Sequence, residues 1–184
     1  MPAPPADGRR SVSSDIPRDT TVVTSRLVLT ALTVEDADEM VHVLGDHRLH
    51  EFIGGRPVGL DELRDRYRRL VAGPTEPSET WLNWIVRVKH DRVAVGTVQA
   101  TISVTADGQS SASVAWVVGT RWQNNGYATE AAGALVGWLH NHGVDDVLAH
   151  IHPEHQASGI VAERAGLQPT DEQHDGETVW RYVG

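Results

Sequence analysis

The sequence predicts one α+β domain, with a central mixed, mostly antiparallel sheet of six to seven strands flanked by about four helices. Residues 34–71 carry apolar side chains at helical spacing, whereas residues 81–118 alternate apolar and polar side chains, as strands do. Residues 111–151 then form a strand–helix–strand unit, which implies a parallel pair with a right-handed crossover. Because no internal repeat or linker interrupts this order, we expect a single domain over residues 21–184.

The N-terminal segment differs in composition from the rest of the chain. Residues 1–20 hold four of the nine prolines, and their three arginines balance three aspartates. Such a segment has too few apolar side chains to form a core. We therefore predict a disordered tail over residues 1–20.

The predicted elements of the first half are one strand, two helices and a three-strand meander. β-branched residues favour the first strand, and Thr33 is a predicted N-cap of the first helix. Gly45 and Gly73-Pro74 end the two helices, and Asp107-Gly108 turns the last hairpin of the meander. The predicted ranges, in chain order, are 21–32, 34–44, 60–71, 81–89, 92–104 and 111–118.

The second half continues with helix, strand, helix and hairpin. Apolar spacing predicts helices over 128–140 and 156–165, and a strand over 144–151 lies between them. Asp175-Gly176 is the turn of the final hairpin, which ends with residues 178–183.

Charge and composition exclude several classes of function. A net charge of −9 argues against binding to nucleic acid, which requires a basic surface, and is weakly suited to a cationic substrate. No apolar run approaches the roughly 20 residues that cross a bilayer, and the N-terminus lacks the apolar core of a signal peptide. The sequence has no cysteine, which excludes disulfides and thiol nucleophiles and fits a cytoplasmic protein.

The junction between the meander and the next helix has the features of an anion site. Residues 116–132 pass from an apolar strand through a polar loop into an apolar helix face. The first N–H groups of a helix have no intrahelical partner, so they point toward an anion placed at that end. Gly126 allows the backbone of the loop to approach a phosphate closely.

Three segments carry a resemblance to a known family. Gln123-Asn124-Asn125-Gly126-Tyr127-Ala128 matches the Gln/Arg-x-x-Gly-x-Gly/Ala acetyl-CoA loop of the GCN5-related N-acetyltransferase (GNAT) superfamily. Residues 153–158 with 163–167, and residues 24–29, resemble signatures of the branch that includes ribosomal-protein N-terminal acetyltransferases. The resemblance covers about residues 21 to 183 and includes the order of the predicted elements.

The resemblance implies an N-acetyltransferase that moves the acetyl group of acetyl-CoA directly to a primary amine, either a protein N-terminus or a small molecule. It implies no metal cofactor and a possible homodimer. The pyrophosphate is expected on the loop and the helix dipole, and the pantetheine arm against free backbone groups of the preceding strand. The implied cofactor residues are Val117, Val118, Gln123, Asn124, Asn125, Gly126, Tyr127, Ala128 and Thr129.

The catalytic residues are less well defined, because the chain departs from the family pattern. Residues 113–116 lack the glutamate that many relatives carry, and no tyrosine lies between Ser158 and Gly166. Ser158 matches a serine proposed as the acid for the leaving thiolate, and it is equally a helix N-cap candidate. His155 stands where asparagine is usual, as a candidate acid, base or cofactor contact. A non-catalytic acyl-CoA-binding or sensor domain is the alternative function.

The histidines near the second signature allow a different hypothesis. His150, His152 and His155 with Glu154 resemble the His-x-His-x-Asp-His metal motif of metallo-β-lactamase-like hydrolases. Only 29 residues follow His155, too few for the later ligands of that fold. We therefore expect no metal site here.

Overall fold

The computed structural model describes residues 16–184, which form one eight-stranded sheet with helices on both faces. The spatial order of the strands is β1-β2-β3-β4-β5-β6-β8-β7. The strands are β1 (Val22–Val23), β2 (Leu27–Ala31), β3 (Glu79–Val88), β4 (Ala94–Val104), β5 (Ser110–Val118), β6 (Asp146–Ile151), β7 (Leu167–His174) and β8 (Glu177–Tyr182). The helices are α1 (Ala37–Val43), α2 (His50–Ile53), α3 (Leu60–Ala72), α4 (Tyr127–Asn141) and α5 (Gln156–Arg164).

The described region has more elements than the sequence predicted: eight strands rather than six to seven, and five α-helices rather than about four. The first strand is divided because Thr24 N–H donates to the Leu27 carbonyl at 3.0 Å, which turns β1 back onto β2. The additional helix is α2, a single turn in the predicted loop. The mostly antiparallel character is confirmed, since β5 and β6 are the one parallel pair among these strands.

The start of the first helix was predicted wrongly. Its α-helical residues begin at Ala37, and Thr33 is not the cap. Instead, the Asp36 carboxylate accepts hydrogen bonds from the backbone N–H of Thr33 at 2.7 Å and from its hydroxyl at 3.0 Å. Arg87 on β3 also contacts Asp36, at 2.6 Å, so a distant cation fixes this carboxylate.

The predicted tail is described only in part. Residues 1–15 lie outside the described residues. Ile16 packs against the main core, and the Thr20 carbonyl accepts a 2.8 Å hydrogen bond from the Trp84 indole. Residues 16–20 therefore contact the domain.

Two apolar cores hold the helices against the sheet. On one face, α4 buries Leu135 and Leu139 against strand residues such as Trp84, which is 1% exposed. On the other face, α1 and α3 pack Met40 and Leu63 over β3. This second face is only partly covered, which leaves room for a cavity.

The sheet opens between its two parallel strands. β5 pairs with β6 only from Ser111 to Ser113, whereas β5 stays paired with β4 as far as Val118. The last residues of β5 therefore lack a β6 partner, and a gap opens at the end of the strand that leads into α4. Within residues 16–184, no helix is both long enough and apolar enough to cross a bilayer.

Candidate active site

The loop before α4 has a backbone that glycine permits. A 3₁₀ turn over Thr120–Trp122 leads into residues 123–125, and Gly126 caps α4 with a φ of 75°. This left-handed conformation favours glycine, because a Cβ would approach the neighbouring carbonyl. Asn124 also has a positive φ, of 63°, which asparagine tolerates better than most residues. The predicted role of Gly126, which is to let the backbone approach a phosphate closely, stays a prediction.

The N-terminus of α4 presents free donors. The first backbone hydrogen bond of the helix runs from Glu130 N–H to the Gly126 carbonyl at 3.1 Å. The N–H groups of residues 124–129 donate to no backbone carbonyl of the described chain. Together with the dipole of a helix of 15 residues, they form a site that stabilises an anion.

An ion pair ties the start of β2 to this loop. Arg26 Nε donates to Glu130 at 2.7 Å, and Arg26 Nη1 donates to the Asn125 carbonyl at 2.9 Å. The same glutamate accepts from the Thr24 hydroxyl at 2.6 Å and from Arg26 N–H at 2.7 Å. Burial would raise the pKa of Glu130, but these hydrogen bonds and the guanidinium charge outweigh it and hold the pKa low. Arg26 thus neutralises the carboxylate nearest the anion site.

The gap at the end of β5 exposes backbone groups of alternate residues. Gly119 N–H donates to the Val95 carbonyl at 2.9 Å, and the Val117 carbonyl lies against Gly96 of β4. Since residues of an antiparallel strand alternate in direction, Trp116 and Val118 face the gap instead. The Val118 carbonyl accepts from Gln123 Nε2 at 3.1 Å. Of the two residues predicted for backbone contacts, Val118 faces the gap and Val117 faces its neighbour strand.

A cavity of about 610 Å³, here called the loop cavity, lies between this loop, the end of β5 and α5. All the predicted cofactor residues except Asn125 line it. Asn125 instead shapes the loop, since its side-chain amide donates to the carbonyls of Trp122 at 3.1 Å and Gln123 at 3.0 Å. The volume is within the range of ligand pockets.

A second cavity of about 550 Å³, here called the sheet cavity, lies on the open face of the sheet beside α3. The two cavities share part of their walls. Their common residues are Phe52, Ile53, Trp116, Val117, His155 and Ser158. A molecule in one cavity can therefore meet a molecule in the other at this common wall.

Both predicted catalytic residues lie in the common wall. His155 is the residue before α5, and Ser158 is inside the helix, so Ser158 is not the N-cap. The His155 ring stacks on Phe52 with centroids 4.1 Å apart and an interplanar angle of 3°. Burial, with a smaller contribution from nearby His152, lowers the pKa of His155. The neutral imidazole is therefore favoured, and it has a nitrogen free to accept a proton.

No group of three or more histidine, aspartate or glutamate side chains in residues 16–184 is arranged to hold a metal ion. His150 lies beside His174, with ring centroids 5.0 Å apart, and His152 is tilted against Phe52 at 6.1 Å. His150 and His152 line the sheet cavity.

Several features of the site were not found from the sequence. Phe52, which is 39% exposed, and Ile53, which is 45% exposed, belong to α2, a helical turn that the sequence did not predict. Arg164 lines the loop cavity from the end of α5. Arg26 acts across 104 residues, and no spacing in the sequence indicates that contact.

Comparisons with known proteins agree with this architecture. Residues 26–168 match the family model of the acetyltransferase (GNAT) domain. No curated protein sequence matches the chain significantly.

Solved structures share the fold at low sequence identity. A GNAT-family acetyltransferase from Bacillus anthracis superposes with a TM-score of 0.70 and 18% identity, over 89% of this chain and 95% of that one. The ribosomal L7/L12 α-N-protein acetyltransferase RimL, solved with coenzyme A, gives a TM-score of 0.72 and 13% identity, over 89% of this chain and 98% of that one. The microcin C7 self-immunity acetyltransferase MccE, solved with acetyl-CoA and AMP, superposes with a TM-score of 0.69 and 13% identity, over 87% of this chain and 93% of that one.

Proposed function

Since this chain belongs to the GNAT acetyltransferase domain family, we propose that it transfers the acetyl group of acetyl-CoA directly to a primary amine. The observation that carries the proposal is the pair of cavities with a common wall. One cavity begins at an anion site, and the other opens on the sheet. Direct transfer between two bound substrates needs such an arrangement, because the reacting atoms must come within about 3 to 3.5 Å.

Acetyl-CoA occupies the loop cavity in this proposal. The pyrophosphate lies on the free N–H groups between Gln123 and Thr129, where the helix dipole stabilises its charge. The pantetheine arm follows the unpaired edge of β5 and bonds to the backbone of Trp116 and Val118, as an added strand would. Two solved structures of the same fold carry coenzyme A or acetyl-CoA, which supports this choice of cofactor.

The acceptor amine enters from the sheet cavity and meets the thioester at the common wall. Its nitrogen forms a bond to the acetyl carbon while the carbon–sulfur bond breaks, which yields the amide and the CoA thiolate. An ammonium must first lose a proton, and the thiolate must gain one. His155, with its lowered pKa, is the candidate base, and the Ser158 hydroxyl is the candidate donor to the thiolate.

The test is consumption of acetyl-CoA across a panel of primary amines, with formation of the acetylated amine measured by mass. We expect turnover with at least one amine, and loss of acetyl-CoA binding in Gly126→Trp. Ser158→Ala and His155→Ala are expected to lower kcat by about 10²-fold or more while acetyl-CoA still binds. Ser103→Ala, a serine on β4 outside both cavities, is the control.

The absence of a glutamate from residues 113–116 favours a second candidate, a non-catalytic acyl-CoA-binding or sensor domain. Tight binding of acetyl-CoA without acetylation of any amine would support this second function. Loss of turnover in Ser158→Ala would exclude it. Absence of acetyl-CoA binding would exclude both.

A further inference from the structure

The floor of the sheet cavity is a group of neutral polar side chains on three adjacent strands. Asn83 on β3 is paired directly with Gln99 on β4, and Thr97 and Ser113 lie on the same face. The side chains of these four residues make no hydrogen bond to another described residue. The floor therefore offers amide and hydroxyl groups that are free to bind a ligand.

A buried tyrosine borders the same cavity. Tyr67 on α3 is only 3% exposed and lines the sheet cavity, and its hydroxyl is the one buried side-chain polar atom of the described region that has no hydrogen-bond partner. Buried polar groups are almost always hydrogen-bonded, since an unpaired one is destabilising. Burial, and then the nearby Asp36 charge, raise the pKa of Tyr67 to about 12, so the group is a neutral hydroxyl. The hydroxyl itself is closed to solvent, so the open polar groups of the cavity are those of the floor.

The ionised residues around this floor balance each other. Two arginines and two glutamates line the cavity, and Arg56 pairs with Glu62 at 3.0 Å. Arg66 and Glu177 are the other two. Despite the overall charge of −9, the cavity itself has no excess of carboxylates to attract a polycation.

Much of the remaining wall is apolar. This part consists of aliphatic and aromatic side chains from α2, α3 and the segments around them, namely Leu32, Leu44, Phe52, Ile53, Val58, Leu63 and Leu70. Four histidines, His50, His150, His152 and His155, also line the cavity. The cavity thus combines a largely apolar wall with a neutral polar floor. Such a site binds an apolar body and orients it by a few hydrogen bonds.

We infer that the acceptor is a primary amine with an apolar body and a neutral amide or hydroxyl group, which the floor binds by hydrogen bonds. The inference rests on the proposed acetyl transfer and names its acceptor class. A site built to hydrogen-bond a substrate group strongly rejects an analogue that lacks the group. A polycationic amine and a carboxylate-bearing amine are expected to be poorer acceptors for a second reason: the floor is neutral, and the two arginines and two glutamates around it carry no net charge.

The experiment uses amines that differ in one group only. The first set is 4-(aminomethyl)benzamide, 4-methylbenzylamine and 4-(aminomethyl)benzoate, which share the ring and the aminomethyl group. The second set, 6-aminohexanamide and heptylamine, repeats the comparison on an aliphatic body. Spermidine represents polycations, and a tetrapeptide amide with a free N-terminus represents polypeptides. We measure kcat/KM for each amine, and its binding to the CoA complex by calorimetry.

The neutral amide is expected to exceed its apolar counterpart, 4-methylbenzylamine or heptylamine, at least tenfold in kcat/KM or affinity in one of the two sets, and to exceed the carboxylate and spermidine. A stronger result for the tetrapeptide amide assigns the same chemistry to a polypeptide N-terminus, and a stronger result for the small amides assigns it to a small molecule. Equal or better performance by the apolar counterparts, the carboxylate or spermidine would overturn the inference, and so would binding of no amine.

Two matched variants locate the effect in the cavity. Thr97→Val is expected to reduce the preference for the amide at least threefold, whereas Thr101→Val, on the same strand and face but outside the cavity, leaves it unchanged. Tyr67→Phe is expected to raise Tm, because it removes an unpaired buried hydroxyl. Equal behaviour of the two threonine variants would contradict the inference.

Failure of this inference differs from failure of the proposed function. Acetylation of the neutral amides and of their apolar counterparts at equal rates overturns only the inferred acceptor class. Absence of acetyl-CoA binding, with or without amine binding, overturns the transferase itself.

Discussion

The close approach of β4 and β5 at Gly96 makes a sharp prediction about the cofactor site. An alanine Cβ at this position would overlap the Val117 carbonyl oxygen and would lie 3.0 Å from Val118 Cα and 3.1 Å from the Val117 carbonyl carbon. Carbon atoms in ordinary contact are about 3.5 to 4.0 Å apart, so the end of β5 must move by roughly 0.5 to 1 Å. The atoms that move are backbone of Val117 and Val118, which cannot rotate away as a side chain can.

The expected cost of Gly96→Ala follows from this displacement. Overpacking of this kind costs about 1 to 3 kcal/mol, which corresponds to a decrease in Tm of roughly 2 to 12 °C for a domain of this size. Because the displaced strand edge also forms the wall of the loop cavity, we expect acetyl-CoA affinity to fall about tenfold or more. Differential scanning calorimetry and calorimetric titration measure the two effects.

Gly133→Ala is the matched control. Gly133 lies inside α4, and an added Cβ there meets no atom within 4 Å. This substitution is expected to raise stability by up to about 1 kcal/mol, since alanine favours helix more than glycine does, and to leave acetyl-CoA affinity unchanged. If Gly96→Ala behaved like Gly133→Ala, with neither Tm nor affinity reduced, the proposed strand geometry would be refuted.

Three further predictions concern the loop before α4, the ion pairs of Arg87 and the common wall. Gly126→Ala is expected to destabilise the domain by about 1 to 2 kcal/mol and to weaken acetyl-CoA binding, measured by denaturation and titration; a wild-type affinity would contradict this. Arg87→Met leaves Asp36 and Glu39 without their guanidinium and is expected to cost about 2 kcal/mol in urea denaturation at pH 7, less than for a fully buried pair. Burial raises the pKa of Glu39, but hydrogen bonds from Ala94 and Arg87 outweigh burial and lower this pKa overall. Ionised Glu39 therefore stabilises the fold above the pKa that it has in the unfolded chain, and this stabilisation is lost as the pH falls. The Arg87→Met variant should lose less stability in acid than the wild type, and an equal loss would count against the pairing. The pKa of His155 is lowered below its ordinary 6.5, so as the pH falls below 6.5 the unfolded chain binds a proton that the folded chain does not. The stability of the wild type should therefore decrease in this pH range more than the stability of His155→Gln. Parallel pH profiles of the two proteins would refute this prediction.

Elements with strong local patterns were predictable from the sequence. α3 and α4 carry apolar residues at helical spacing, and the meander has alternation and an Asp-Gly turn, so their ranges agree within a few residues. The glycine-bearing loop was recognisable for the same reason, since the left-handed φ of Gly126 is a local requirement. These features depend on residues that are close together in the chain.

The features that were not predictable depend on distant contacts. Thr33 has the composition of an N-cap, but Arg87 holds Asp36 in a position where its carboxylate binds Thr33 instead. The pair between Arg26 and Glu130 links residues 104 positions apart. The common wall between the two cavities depends in the same way on how α2 packs near α5, which no single segment encodes.

Calorimetric titration with acetyl-CoA, in parallel with S-acetylpantetheine, tests the central claim most directly. The account predicts one saturable site for acetyl-CoA, and binding of S-acetylpantetheine that is at least tenfold weaker, because that analogue lacks the 3′-phospho-ADP portion of acetyl-CoA, whose pyrophosphate we propose to lie on residues 123–129. Absence of acetyl-CoA binding, or equal affinity for the two compounds, would contradict it.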